Sequence, residues 1–193
     1  MLARQTELFL PLDGLTYAND AVDETEERAL IAAIDAVDLA PFRFQRWLGK
    51  RLTASFGWHY DFEHARMGPA QPIPSWLEPL RHEAARFAGI DTDQLVHVLV
   101  THYPPGAGIG WHRDRPVFDH VVGVSLGASA FLRFRRRAGA KFDRASLACR
   151  PRSIYHLSGE ARHMWEHSIA PIDASRWSIT FRSLSERHLS CLP

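Results

Sequence analysis

Beyond Ile90 the chain changes its period. Residues 96–103, 121–126, 131–135, 153–157 and 177–182 form five short runs rich in β-branched and aromatic residues. Turn signals such as Pro104-Pro105-Gly106 and Ser158-Gly159 part them, with no helical spacing in between. Strands spaced in this way predict an antiparallel sandwich or barrel and argue against a doubly wound sheet.

Two helices are expected ahead of this region. Asp23 is a candidate N-cap, with Glu26 three residues later and Leu30, Ala33, Ile34 and Val37 at helical spacing. That helix must end before Pro41. Ser75 and Glu78 form a second capping-box pattern, followed by Trp76, Leu80, Ala84 and Phe87 and stopped at Gly89. The aromatic-rich stretch 42–62 reads as one or two strands. The first 20 residues read as a loosely structured arm with turns at Asp13-Gly14 and Asn19-Asp20. The fold class expected is α+β, with the N-terminal helices packed on a C-terminal jelly roll.

The 193 residues fit a single domain, 1–193, with the helical part over about 1–90 and the jelly-roll core over about 91–184. A domain of this size needs neither disulfides nor oligomerisation to hold a core, so a monomer is expected. Apolar residues make up 46% and charged residues 23%, which excludes a disordered chain. No apolar run approaches the roughly 18–20 residues of a membrane span. Arg4 and Glu7 interrupt any secretory h-region, so a cytoplasmic protein with no membrane partner is expected. Cys149 and Cys191 are too few for a disulfide framework or a thiolate zinc site. A net charge of +1 does not choose a partner, but eleven histidines and six tryptophans direct attention to metal and ring chemistry.

Three familiar patterns fail on context. Gly106-Ala107-Gly108-Ile109-Gly110 lacks the third glycine of a dinucleotide loop, since Trp111 stands there and no helix start follows. Gly123-Val124-Ser125-Leu126-Gly127 matches a nucleophile elbow, which would make the chain a serine hydrolase using Ser125, but another strand follows where a helix is required. His163-Met164-Trp165-Glu166-His167 matches an inverted zinc-protease signature, but Gly159, Pro171 and the β-rich flanks favour a strand.

One combination survives. His112 and Asp114 lie two residues apart and point to the same side of a strand. With the distal His167 they compose a two-histidine, one-carboxylate set that suits Fe(II) and leaves three coordination positions open. The last strand adds to this. Period two places Trp177, Ile179 and Phe181 on one face and Arg176, Ser178, Thr180 and Arg182 on the other. If the polar face points into a barrel its arginines need partners, and a small dicarboxylate would satisfy both guanidinium forks. The same alternation also fits an exposed amphipathic strand.

Together these residues resemble the AlkB family of Fe(II)/2-oxoglutarate dioxygenases. The resemblance rests on Tyr103, His112-Arg113-Asp114, residues 122–127, Gly159-Glu160-Ala161-Arg162, Trp165-x-His167 and Arg176-x-Ser178-x-Thr180-Phe181-Arg182, and spans about 42–184. It is strongest to the short bacterial members and the tRNA-modifying animal branch. It implies a double-stranded β-helix core, an N-terminal nucleotide-recognition lid and oxidative dealkylation of nucleobases in DNA or RNA, as in repair of DNA damage. Fe(II), 2-oxoglutarate and O₂ would be consumed together, and the target base would be flipped or single-stranded. His112, Asp114 and His167 would hold iron. Arg176 would pair with the distal carboxylate of 2-oxoglutarate, helped by Tyr103 and Ser178, and Arg182 would lie near its metal-chelating end. Thr101 and Ser178 replace two asparagines of the best-known bacterial member, and Pro116 replaces an acidic residue.

Substrate-side candidates are Arg51, Trp58 and Tyr60 in the lid, for stacking, and Arg133 and Arg135 of the run 133–137, for phosphates. The aromatics also fit a core, and the arginines also fit a guarded edge strand. Two alternatives keep the fold: an oxygenase hydroxylating a tRNA modification or a protein, and a non-catalytic nucleic-acid-binding domain.

Overall fold

The computed structural model describes residues 12–44, 47–61, 66–69 and 71–189. The first eleven residues of the expected arm and Cys191 lie outside them. In chain order the strands are β1 (Leu15–Ala18), β2 (Ala40–Phe44), β3 (Trp47–Asp61), β4 (Arg66–Pro69), β5 (Leu95–Tyr103), β6 (Ile109–His112), β7 (Phe118–Gly127), β8 (Ala130–Ala138), β9 (Lys141–Cys149), β10 (Ser153–Leu157), β11 (Glu166–Ile169) and β12 (Arg176–Leu184). The helices are α1 (Glu24–Asp35), α2 (Glu78–Ala88), α3 (Gly159–His163) and α4 (Glu186–Leu189).

The strands form two antiparallel sheets, as the β-rich period predicts. The larger runs β1-β10-β7-β12-β5-β3-β2, with β4 beside β3, and the smaller runs β6-β11-β8-β9. Helices α1 and α2 cover the outside of the larger sheet: Leu30, Ile34, Leu80 and Ala84 share one core with Val98, Val100, Val122, Val124, Ile179 and Phe181. A second core contains Val121, Leu132, Phe134, Leu147, Leu157 and Ile169, drawn from strands of both sheets. This is the jelly-roll arrangement of a double-stranded β-helix. No helix among the described residues is long and apolar enough to cross a membrane.

Helix α1 begins as its sequence dictates. Asp23 Oδ1 accepts from the Thr25 and Glu26 amides at 2.7 and 2.8 Å, and Glu26 returns a bond to the Asp23 amide. Glu27 then ties the helix to the sheet, accepting from the Gly127 amide at 2.8 Å and from Arg152 at 3.0 Å. At α2 the expected box is not formed. Pro74 caps a 3₁₀ turn over Ser75–Leu77, no side chain caps either segment, and Pro79 at the start of α2 removes an amide that needs no partner. The C-terminal end is as read, with Gly89 left-handed at φ +69°.

Two further expectations are corrected and a third is borne out. Residues 15–18 are not a loose arm, because they pair with β10. Residues 163–167 are not one strand: His163 ends α3, and β11 starts at Glu166. Ser125 is fully buried in a continuous strand β7 with no elbow, which removes the hydrolase reading.

Candidate active site

A cavity of about 490 Å³ opens between the sheets, lined from β3, β5, β6, β11, β12 and the loop after β6. Alternation decides which side chains reach it. On β12, Ile179 and Phe181 enter the helix-covered core while Arg176, Ser178, Thr180 and Arg182 line the cavity. On β5, Val98 and Val100 go to the core, whereas His97, Leu99, Thr101 and Tyr103 face the cavity. The exposed-strand reading of residues 176–182 therefore falls.

At one end of the cavity β6 and β11 pair so that His112 stands opposite His167. Their ring centroids are 4.3 Å apart and tilted by 58°. His112 Nδ1 lies 2.8 Å from the Gly110 carbonyl, which can only accept, so Nδ1 carries the proton and Nε2 keeps its lone pair. Asp114 completes the group, with Oδ2 3.6 Å from His167 Nε2. Its other oxygen, Oδ1, accepts from Arg182 Nε and Nη2, each at 3.0 Å. Among the described residues no three His, Cys, Asp or Glu groups are already closed to metal-bonding separation.

Electrostatics sets the protonation states. Burial alone would raise the Asp114 carboxyl, but Arg182, His167 and His112 together hold it well below the usual carboxylate range. Burial lowers His112, against the opposing pull of Asp114. Burial, followed by neighbouring His112, pushes His167 down to about 3. At neutral pH the group therefore presents two neutral imidazoles and one carboxylate, and the His167–Asp114 contact is not an ion pair. That donor chemistry fits a divalent iron.

The opposite end is built around Arg176, which is 1% exposed. Its Nε donates to Ser125 Oγ at 3.1 Å and its guanidinium lies 5.1 Å from the centre of the Tyr103 ring. Its Nη1 is buried and has no hydrogen-bond partner among the described residues. Ser178 and Thr101 face one another across the β12–β5 pairing and are both buried. An orphaned buried cationic donor is costly, which fits a carboxylate ligand at this position.

The loop that carries Asp114 is anchored from outside the cavity. Arg162 of α3 is 3% exposed and donates through Nη2 to the Phe118 carbonyl at 2.6 Å and also to the Arg115 carbonyl. Arg113 donates back to the His163 carbonyl at 3.2 Å. Sequence reading quoted Arg162 within a motif but gave it no role, because backbone carbonyls as partners leave no trace in residue identity. Tyr155 was missed altogether. It lines the cavity over Gly123, where a larger residue would force it to move: an added Cβ would come within 2.2 Å of its ring.

The substrate-side candidates separate. Arg51 reaches the cavity, 7% exposed, with its guanidinium 3.9 Å from the centre of the Phe42 ring. Trp58 is half-buried on β3 and does not line the cavity. The Tyr60 side chain lies outside the described residues. Arg133 and Arg135 do not line the cavity either. They sit over Trp111, at 5.2 and 4.5 Å, next to the rim. Arg135 is also bound by Glu166 at 2.6 Å, and Arg136 by Glu160 and Asp143, so part of the basic run is already neutralised.

Comparison with known proteins places this geometry. Residues 17–183 match the family model of the 2OG-Fe(II) oxygenase superfamily. The mouse (Mus musculus) tRNA (carboxymethyluridine(34)-5-O)-methyltransferase ALKBH8 is 28% identical over 169 residues, covering 82% of this chain and 24% of that protein. The Alkylated DNA repair protein ALKBH8 homolog of Arabidopsis thaliana is 27% identical over 190 residues, covering 85% of this chain and 52% of the relative. The chain thus spans about a quarter to a half of these relatives. The solved structure of OsALKBH1 superposes with a TM-score of 0.65 at 17% identity, over 88% of this chain and 96% of the other.

Proposed function

Since the chain belongs to the 2OG-Fe(II) oxygenase superfamily, on its AlkB-like branch, we propose that it oxidises alkyl groups on nucleobases of DNA or RNA. The observation that carries this reading is the two-ended cavity: two neutral imidazoles and a carboxylate at one end, and the orphaned Arg176 guanidinium at the other. His112, Asp114 and His167 hold Fe(II). Arg176 receives the distal carboxylate of 2-oxoglutarate, with Tyr103 and Ser178 beside it. Arg182 fixes Asp114 by gripping Oδ1, so that Oδ2 stays turned towards His167. Iron, 2-oxoglutarate and O₂, when bound, supply the oxidising power for an unactivated C–H bond.

The protein's own contribution is orientation and exclusion of water. Arg162 and Arg113 clamp the Asp114 loop to α3, so the carboxylate does not drift when the cavity fills. Arg133, over Trp111 beside the Glu166-paired Arg135, leaves a positive charge next to the rim on which a nucleic-acid backbone can rest. Nucleic acid as substrate class is also supported by the relatives, one named for a tRNA methyltransferase and the other for repair of alkylated DNA.

The test is mass spectrometry of alkylated DNA and RNA oligonucleotides incubated with the protein, iron(II), 2-oxoglutarate and ascorbate. Loss of an alkyl group or gain of oxygen, with succinate released, is expected, and Asp114→Ala should abolish both. Succinate formation that no oligonucleotide stimulates would overturn nucleic acid as the substrate.

A further inference from the structure

Among the described residues, the cavity wall carries five arginines and a single carboxylate, Asp114. Most of these charges have partners. Arg182 sits on Asp114, Arg113 donates to a backbone carbonyl at the rim, and Arg176 faces the ligand carboxylate assigned to it above. Arg51 is different. It is 7% exposed, and among the described residues it has neither a hydrogen bond nor an ion pair. What holds it is Phe42, whose ring centre lies 3.9 Å from the guanidinium carbon. Stacking of that kind fixes the plane of the guanidinium but leaves its in-plane N–H donors unused.

We infer that Arg51 makes this cavity selective for an uncharged or anionic nucleobase that turns a carbonyl or carboxylate oxygen towards it, and that cationic ring-alkylated bases are disfavoured. This rests on the nucleic-acid reading proposed above. The electrostatic balance is direct. A dianionic 2-oxoglutarate offsets a divalent iron, and Asp114 offsets Arg182, which leaves Arg51, Arg113 and Arg176 with no carboxylate of the described lining to offset them. An alkylated adenine or cytosine carrying a ring charge would enter that field with no carboxylate among the described lining residues except Asp114, which Arg182 already holds. Like charges brought together out of water repel strongly. An alkylated uracil or guanine carries no ring charge and presents a carbonyl oxygen at the position where cytosine and adenine carry an amino group, and that oxygen is the acceptor a fixed guanidinium fork requires. The positions after the metal-binding pair reinforce this, because Arg115 and Pro116 add no acidic group to the wall.

Pairs of similarly sized bases that differ in ring charge test it. The full-length protein is titrated with single-stranded oligonucleotides that each hold one modified base: 3-methylcytosine against 3-methyluracil, and 1-methyladenine against 1-methylguanine. Binding is read by fluorescence anisotropy at pH 7, and oxidation of the same set by mass spectrometry. The neutral member of each pair should bind about tenfold tighter or better. Arg51→Gln should shrink that preference, and Arg51→Glu should reverse it, with circular dichroism reporting whether each variant is folded. Equal binding, or tighter binding of the cationic members by the unaltered protein, overturns the inference while leaving the nucleic-acid reading intact. A preference unchanged in folded Arg51→Gln removes Arg51 as its source. No binding to any of the four overturns both.

Discussion

If Arg176 receives the cosubstrate as proposed, its removal should have opposite signs for ligand binding and for ligand-free stability, and a single pair of variants can separate them. In the free protein a buried guanidinium keeps one bond, from Nε to Ser125 Oγ, and an unpartnered Nη1. Replacing a buried charge with a hydrophobic group of similar length is often neutral or stabilising by about 1–4 kcal/mol. In Arg176→Met, part of that gain is lost, because the fully buried Ser125 hydroxyl is stranded at a cost of about 1–3 kcal/mol. Adding Ser125→Ala removes that cost. At about 2–4 °C per kcal/mol for a chain of this length, the double variant should melt at or several degrees above the parent. Ligand binding should go the other way. Losing the partner of a buried carboxylate costs about 2–5 kcal/mol, or roughly 30-fold to a few thousand-fold in 2-oxoglutarate affinity.

Thermal melts with manganese(II) replacing iron(II) measure both effects. At a 2-oxoglutarate concentration of about 100 times the parent's Kd, the parent gains about 2.7 kcal/mol, which is a rise of about 5–11 °C. At the same concentration a variant weakened 30-fold gains about 0.9 kcal/mol, so its rise should not exceed about 3 °C. A double variant that keeps the parent's rise would show that Arg176 does not receive the cosubstrate. A double variant that melts far below the parent without ligand would show that its guanidinium was well paired after all.

Two other perturbations probe the frame of the site. His156 is 6% exposed with Nε2 2.8 Å from His120 Nδ1, and burial, then that neighbour, pushes its pKa down to about 4. Its unfolded value is about 6.5, so between these values the unfolded chain binds more protons. Stability should be fullest above about pH 6.5 and fall as the pH drops towards 4, and His156→Gln should flatten this slope in urea denaturation series. His167 contributes in the same direction, so a residual slope is expected, but an unchanged slope refutes the assignment to His156. At Gly123, a methyl group would come within 2.2 Å of the Tyr155 ring, and Gly123→Ala should cost about 1–3 kcal/mol by overpacking. Because Tyr155 lines the cavity, the same change should weaken 2-oxoglutarate binding, and adding Tyr155→Leu should recover melting temperature; no recovery would place the strain elsewhere.

What could be read from the chain was what alternation and capping encode locally. The polar face of 176–182, the Asp23 box and the strand 153–157 needed only neighbouring residues. The pairing of residues 15–18 with β10 depends on a partner far along the chain, and nothing in that short stretch announces it. The Ser75 box failed because Pro74 and Pro79 supplied a different helix start, in which the serine side chain has no amide to receive. Alternation along 130–138 puts Arg133 and Arg135 on one face, but their stacking on Trp111 depends on β11 lying between β8 and β6.

Arg176 and Arg182 show where local reading ends. In sequence they are equivalent: the same residue type, the same strand and the same face, at its two ends. The fold makes them unequal by bringing Asp114, from the loop after β6, onto Arg182 and bringing only a hydroxyl onto Arg176. One arginine is thereby spent on holding a carboxylate of the protein, and the other is left to demand one from outside. That inequality gives the cavity its direction. On the reading proposed above, a dicarboxylate entering it would find a neutralised end beside His112 and His167 and an unneutralised end beside Tyr103, so its distal carboxylate would go to Arg176 and its other end towards the histidines. The polarity comes from one pairing across the fold, which explains why the sequence supplied the residues of the site but not the order in which a ligand would meet them.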